Sequence, residues 1–210
     1  MIISHRYRFI FIKTVKTAGT SIEVFLSGRC AEQDVFTPIL PPVAPHRARN
    51  FGDFYNHVSA SEVKAAVPDE IWRNYFKFCV ERNPWDKVLS LHRMLRHRSG
   101  MDIPFDEFLS GKNDAFKLAL NYPRYTDRAG DRLIVDRVLR YERLDEELGD
   151  VFGMLGVPYN GTLDVHAKSD AQAGQRLPYR QIYTDRQNRL VEQAYKKEID
   201  LHGYRFSGSD

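Results

Sequence analysis

A polar stretch, Lys13 to Ser21 (KTVKTAGTS), follows an apolar run, Arg8 to Ile12 (RFIFI). The run has the β-branched and aromatic content of a buried strand. After the polar stretch, Ile22, Phe25 and Leu26 fall on one face of a helix predicted over Thr20 to Leu26. Strand, polar turn and helix together make an anion site, because a helix N-terminus leaves backbone N–H groups unpaired and carries the positive end of the helix dipole. Small residues at Thr17, Ala18 and Gly19 would let a phosphate or sulfate approach the backbone, Lys16 would add a mobile charge, and Thr20 and Ser21 would add hydroxyl donors. An ordinary nucleoside-triphosphate loop reads G-x-x-x-x-G-K-[ST]. Here Gly19 comes after Lys16 and no glycine precedes that lysine, so such a site is disfavoured. Taken alone, the stretch also reads as a basic surface turn.

The segment Val15-Lys16-Thr17-Ala18-Gly19-Thr20-Ser21 resembles the Pro-Lys-Thr-Gly/Ala-Gly/Ser-Thr-Ser signature of carbohydrate-type sulfotransferases, including the heparan and uronyl 2-O-sulfotransferases and their bacterial relatives. In that family it binds the 5′-phosphosulfate end of 3′-phosphoadenosine 5′-phosphosulfate (PAPS). Val15 stands where proline is usual, which removes no donor because proline has no N–H. Val80 to Ser90 (VERNPWDKVLS) resembles the family's Arg-Asn/Asp-Pro-x-x-Arg-x-x-Ser element for the 3′-phosphate, with Arg82 and Ser90 in the matching places and Lys87 where arginine is common. Asn56-His57-Val58-Ser59-Ala60 resembles the segment holding the catalytic histidine of the 2-O-sulfotransferases. Val138 to Leu144 (VLRYERL) is similar to the family's Arg-Tyr/Phe-Glu-x-Leu, and the end of the chain, from Tyr183 through Gly203-Tyr204-Arg205-Phe206, is similar to its closing helix and Gly-Tyr-x-Phe. The similarity runs from about residue 9 to 206.

The resemblance implies transfer of a sulfuryl group from PAPS to a hydroxyl acceptor, a glycan or glycoconjugate, leaving PAP and using no metal. It implies that Lys16 stabilises the leaving group, that Thr17, Ala18, Gly19, Thr20 and Ser21 hold the 5′-phosphosulfate, and that Arg82 and Ser90 hold the 3′-phosphate. A guanidinium at a strand exit and a hydroxyl on the next helix can converge on one phosphate. Arg82 could instead serve as an ion-pair partner of Asp86 or Glu81. Lys168 and Arg176, in the late loop that closes over the nucleotide in the family, are further cofactor candidates. His57 is the candidate base, since an imidazole of ordinary pKa is mostly neutral near pH 7. His46, His92 and His166 are rivals for that role. Two other readings remain: a small-molecule kinase with a degenerate phosphate loop, requiring Mg²⁺, and a non-catalytic PAP- or glycan-binding protein. Arg47, Arg49, Arg93, Arg96 and Arg98 could face an anionic glycan, and Phe51, Phe54 and Tyr55 could stack on a sugar ring or pack inside.

These residues need a scaffold of alternating strands and helices. Phe76 to Val80 (FKFCV) reads as a second strand, followed by Asn83 as cap and Pro84 at the first position of a helix reaching about His97. Ser59 and Glu62, and again Thr184 and Gln187, have capping-box spacing. The first opens a helix that Pro68 ends; the second opens a helix running to about Glu198. Leu133 to Leu139 contains a third strand candidate, and a helix from about Asp145 to Leu155 closes at Gly156. Alternation of this kind predicts an α/β fold with a central, mainly parallel sheet flanked by helices. The resemblance implies a three-layer P-loop-like form of it in one domain.

The 210 residues, 42% hydrophobic with thirteen Phe and eleven Tyr, can build a globular core. The net charge of +3 is too small to mark a nucleic-acid binder. Cys30 and Cys79 form neither a metal-ligand spacing nor a disulfide framework. No leader or membrane-spanning run is visible, which makes a cytoplasmic location the expectation.

Overall fold

The computed structural model describes residues 1–111, 114–130, 132–163 and 177–207. In chain order the elements are β1 (Ile2–Ser4), β2 (Phe9–Phe11), α1 (Gly19–Ser27), β3 (Val35–Phe36), α2 (Ala60–Ala66), α3 (Asp69–Asn74), β4 (Phe76–Glu81), α4 (Pro84–Ser99), α5 (Phe105–Ser110), α6 (Tyr122–Tyr125), β5 (Arg137–Arg140), α7 (Leu144–Leu155), α8 (Asp185–Ala194) and α9 (Lys196–His202). Single 3-10 segments lie at Ala115–Ala119, Tyr141–Arg143 and Tyr179–Gln181. The chain divides into two compact units, Met1–Glu81 with Pro123–Asp170, and Arg82–Tyr122 with Ala171–Asp210.

The first unit is α/β. Its sheet has the order β3-β1-β2-β4-β5. β2, β4 and β5 are mutually parallel, with Phe11 opposite Phe78 and Val80 opposite Leu139. β1 runs antiparallel to both β2 and β3. The parallel core matches the sequence expectation. The antiparallel strand does not, and its cause is local: only residues 5–8 join β1 to β2, too few for a crossover. The core combines Phe9, Phe11, Phe78, Val80 and Leu139 of the sheet with Ile22, Phe25 and Leu26 of α1 and Leu148, Val151 and Phe152 of α7. Phe25 stacks on Phe152 with ring centroids 5.6 Å apart. The third strand is shifted from its expected position: it covers Arg137–Arg140, while Leu133 makes only an isolated bridge to Thr126.

The second unit is helical among the described residues. α4 begins as expected, with Asn83 Oδ1 accepting from the Trp85 N–H and Pro84 at its first position. Trp85 stacks in parallel with Tyr179 and meets Phe206 edge-on. The Tyr183 hydroxyl donates to the Trp85 carbonyl. The Gly-Tyr-x-Phe ending therefore serves as aromatic packing for α4, and Tyr204 is buried. The single helix expected from Thr184 to Glu198 is broken at Tyr195, whose buried hydroxyl donates to the Phe116 carbonyl. Beyond the break, Glu198 is fully buried against the equally buried Lys87, 2.6 Å away, and it also accepts from the backbone N–H groups of Asn121 and Tyr122.

Candidate functional site

The turn between β2 and α1 has an unusual backbone. Lys16 and Ala18 have φ of 63° and 61°, in the left-handed region, while Thr17 between them and Gly19 after them do not. Each such residue costs a side-chain-bearing position roughly 1–2 kcal/mol, so the surroundings must enforce it. The step from left-handed Ala18 into helical Gly19 turns successive N–H groups toward one side, the geometry of an anion-binding concavity. The helix behind it is uncapped by any side chain: Ala18 occupies the cap position, and the first helical bond runs from the Ile22 N–H to the Ala18 carbonyl. By contrast α2, α4 and α8 are capped by Ser59, Asn83 and Thr184. Lys16, Ala18 and Thr20 are half-buried, and Thr17, Gly19 and Ser21 are buried. The segment thus places the helix N-terminus and the Thr20 hydroxyl next to the half-buried Lys16.

Two features hold this backbone in place. The Thr14 hydroxyl donates to the Val80 carbonyl at the end of β4, so in its 2.7 Å contact with Thr17 it is the acceptor and Thr17 the donor. The Thr17 side chain is therefore spent internally, and the residue is fully buried. The second feature is a buried ion pair. Lys13 Nζ lies 2.5 Å from Glu23, which also receives the Met1 nitrogen. The Lys13 stem crosses α1 so closely that a Cβ on Gly19 would stand 2.7 Å from Lys13 Cγ. Gly19 is required by this contact and not by its φ. Burial pushes the Lys13 pKa down, against the opposing pull of Glu23. Sequence reasoning missed Lys13, although a signal existed. Residues Ile22 through Leu26 form an unbroken apolar run except for Glu23, and a helix buried all round forces that carboxylate to find a cation.

His57 belongs to the same unit. It sits in a turn closed by the Val58 N–H and the Tyr55 carbonyl, with φ of 66°. The capping box at Ser59 and Glu62 forms fully, and the Tyr55 hydroxyl also donates to Glu62. The His57 ring approaches the turn after β2, its Nδ1 lying 3.1 Å from the Lys13 carbonyl. A carbonyl oxygen only accepts, so Nδ1 carries the hydrogen. Burial, and then the nearby Lys13 ammonium, lower the His57 pKa to about 3, so the ring is neutral. Arg124, on α6, donates to the His57 carbonyl at 2.9 Å. No local pattern pointed to Arg124, which lies 67 residues away in sequence.

The other expected residues separate into distinct environments. In the second unit, Arg82 directs Nε and Nη2 to a single oxygen of Asp86, at 2.9 and 2.6 Å. Arg82 is thus paired with Asp86, one of the two carboxylates considered for it. Ser90 lies one turn beyond Asp86 on α4 and is half-buried. Lys87, matching the family's arginine, is fully enclosed with Glu198 and cannot reach a ligand. His92 is a core histidine, bonded through Nε2 to the Ile103 carbonyl and packed between Phe105 and Phe108. His46 packs edge-on against Phe36 in the first unit. Arg49 covers the same ring at 4.1 Å and donates to the Ala31 carbonyl, a structural role. The Cys30 thiol is pushed up to about 12 by burial and Cys79 is fully buried, so neither is a nucleophile. Lys168, Arg176 and His166 lie outside the described residues.

Among the described residues no group of His, Cys, Asp and Glu is arranged to hold a metal ion, and no helix is long and apolar enough to cross a membrane. No family model matches the chain. The chain is 34% identical to an uncharacterized protein of Archaeoglobus fulgidus over 110 residues, which are 51% of this chain and 90% of the archaeal protein.

Proposed function

We propose that the chain, which belongs to one family with the Archaeoglobus fulgidus protein, is a PAPS-dependent sulfotransferase acting on a hydroxyl acceptor, with a P-loop-like nucleotide fold. The observation that carries the reading is the meeting of two features in one unit. An uncapped helix N-terminus is preceded by left-handed Ala18 and Lys16, and a neutral histidine is bonded to the backbone three residues before that lysine. The first suits a group with several anionic oxygens. The second suits removal of a proton from an attacking hydroxyl.

PAPS, when bound, supplies the sulfuryl group. The backbone from Thr17 to Thr20, with the Thr20 hydroxyl, would hold its 5′-phosphosulfate. Lys16 would neutralise charge growing on the bridging oxygen as its bond to sulfur breaks. His57 Nε2 would take the acceptor proton as the new oxygen–sulfur bond forms. A pKa near 3 makes the unliganded ring a feeble base. An anion held beside it would raise that value by favouring the imidazolium. Proton affinity would then develop only with the donor in place. Arg82, in the second unit, is already paired to Asp86, so its contribution to anion binding would be weaker than that of Lys16.

The low pKa of His57 also favours a second reading, a protein that binds PAP without turnover. Transfer of labelled sulfate from PAPS to a panel of hydroxylated glycans separates the two. Turnover is expected for the unaltered chain, with a loss of roughly 10²- to 10⁴-fold in His57→Ala and PAP affinity retained. PAP binding with no turnover on any acceptor would favour the binding protein, and unchanged turnover in His57→Ala would remove its role as base.

A further inference from the structure

His57 is gripped at three points, and two of them come from residues that no motif singled out. Its backbone is held left-handed within the Tyr55–Val58 turn. Its carbonyl accepts from Arg124 Nη1. Its Nδ1 meets the Lys13 carbonyl, which cannot donate. Lys13 is itself immobilised by Glu23, so the carbonyl offered to the ring is fixed. Nε2 is hydrogen-bonded to no described residue. An imidazole whose one nitrogen is committed to a carbonyl has its other nitrogen defined as the proton acceptor.

We infer that Arg124 is a positioning residue for His57: with the Lys13 carbonyl it holds the imidazole as the Nδ1–H tautomer, leaving Nε2 as the single proton-accepting atom. The inference rests on the proposed role of His57 as base. Arg124 acts through the peptide of His57. Without its hydrogen bond the strained turn can relax, and the ring loses its register with the Lys13 carbonyl.

The test is the ring nitrogen spectrum of the full chain labelled with ¹⁵N-histidine, with His57 assigned by comparison with His57→Gln. In the unaltered chain at neutral pH, Nδ1 is expected to show the shift of a protonated nitrogen and Nε2 that of an unprotonated one. Arg124→Gln is expected to move both toward intermediate shifts, the signature of mixed tautomers, while the core His92 signals stay in place. It should also lower kcat roughly tenfold to hundredfold with little change in KM for PAPS. Arg124→Lys, which keeps a donor, should restore the tautomer. A proton on Nε2 in the unaltered chain would overturn the inference without any variant having to fold. So would an Arg124→Gln spectrum identical to the parent's. The tautomer is read without turnover, so an Nδ1–H ring in a chain that transfers no sulfuryl group would retire the reaction and leave the positioning intact.

Discussion

Lys16 and His57 are both held by backbone geometry that their own side chains disfavour. Left-handed φ at Lys16, Ala18 and His57 is enforced by contacts from Thr14, Thr17, Lys13 and Arg124. His57 has a pH consequence that can be read without an activity assay. In the folded chain its pKa is lowered to about 3 by burial and then by the Lys13 and Arg124 cations and the Met1 nitrogen, against an ordinary value of 6.5. Between those values the unfolded chain binds the extra proton, so stability rises with pH across this window. The stability linked to the neutral ring is complete above about pH 6.5 and is lost as pH falls toward 3. The difference in unfolding free energy between the parent and His57→Gln, measured by denaturant titration, should therefore shrink on acidification. A difference that stays constant with pH would show that the ring titrates normally. Chemistry-bearing residues were legible here where they sit in a contiguous motif. The residues that hold them, Lys13 and Arg124, were not, because their partners are set by tertiary approach.

At the scale of elements, sequence signals succeeded where the physics is local. The caps at Ser59, Asn83 and Thr184 formed as their spacing required, and Gly156 closes α7 in the left-handed conformation. They failed where pairing decides. β1 and β3, with three and two residues, are too short to show any periodicity, and become strands only because β1 hydrogen-bonds to both β2 and β3. Pro68 was read as the end of α2, yet it also caps α3. The break between α8 and α9 falls at Tyr195, and beyond it Glu198 pairs with Lys87, 111 residues away. Both are fully buried, so removing one leaves the other as an unpaired buried charge. Glu198→Ala should destabilise the chain by about 3–5 kcal/mol, whereas Lys87→Met combined with Glu198→Leu should cost much less. Denaturant midpoints check this. Equal losses in the single and double variants would mean that packing, and not charge, dominates the site.

For the whole molecule, the Lys16 turn lies in the first unit, and Arg82 and Ser90 lie in the second. The chain passes from one unit to the other directly after β4, at Glu81 and Arg82. The sheet that positions the Lys16 turn was readable from two apolar runs. The division into units was not, because the second unit is assembled from two distant stretches of chain with no boundary signal in composition. The two elements are unequal: Lys16 lies beside an uncapped helix terminus, while Arg82 is already engaged by Asp86. Titration calorimetry with PAP, set beside ATP, on the parent chain, Lys16→Ala and Arg82→Ala tests the central claim most directly. PAP is expected to bind more tightly than ATP, and Lys16→Ala to weaken it roughly tenfold to hundredfold, the worth of a charge-assisted hydrogen bond, with a smaller loss in Arg82→Ala. Absence of PAP binding, or affinity unchanged in both variants, would contradict it.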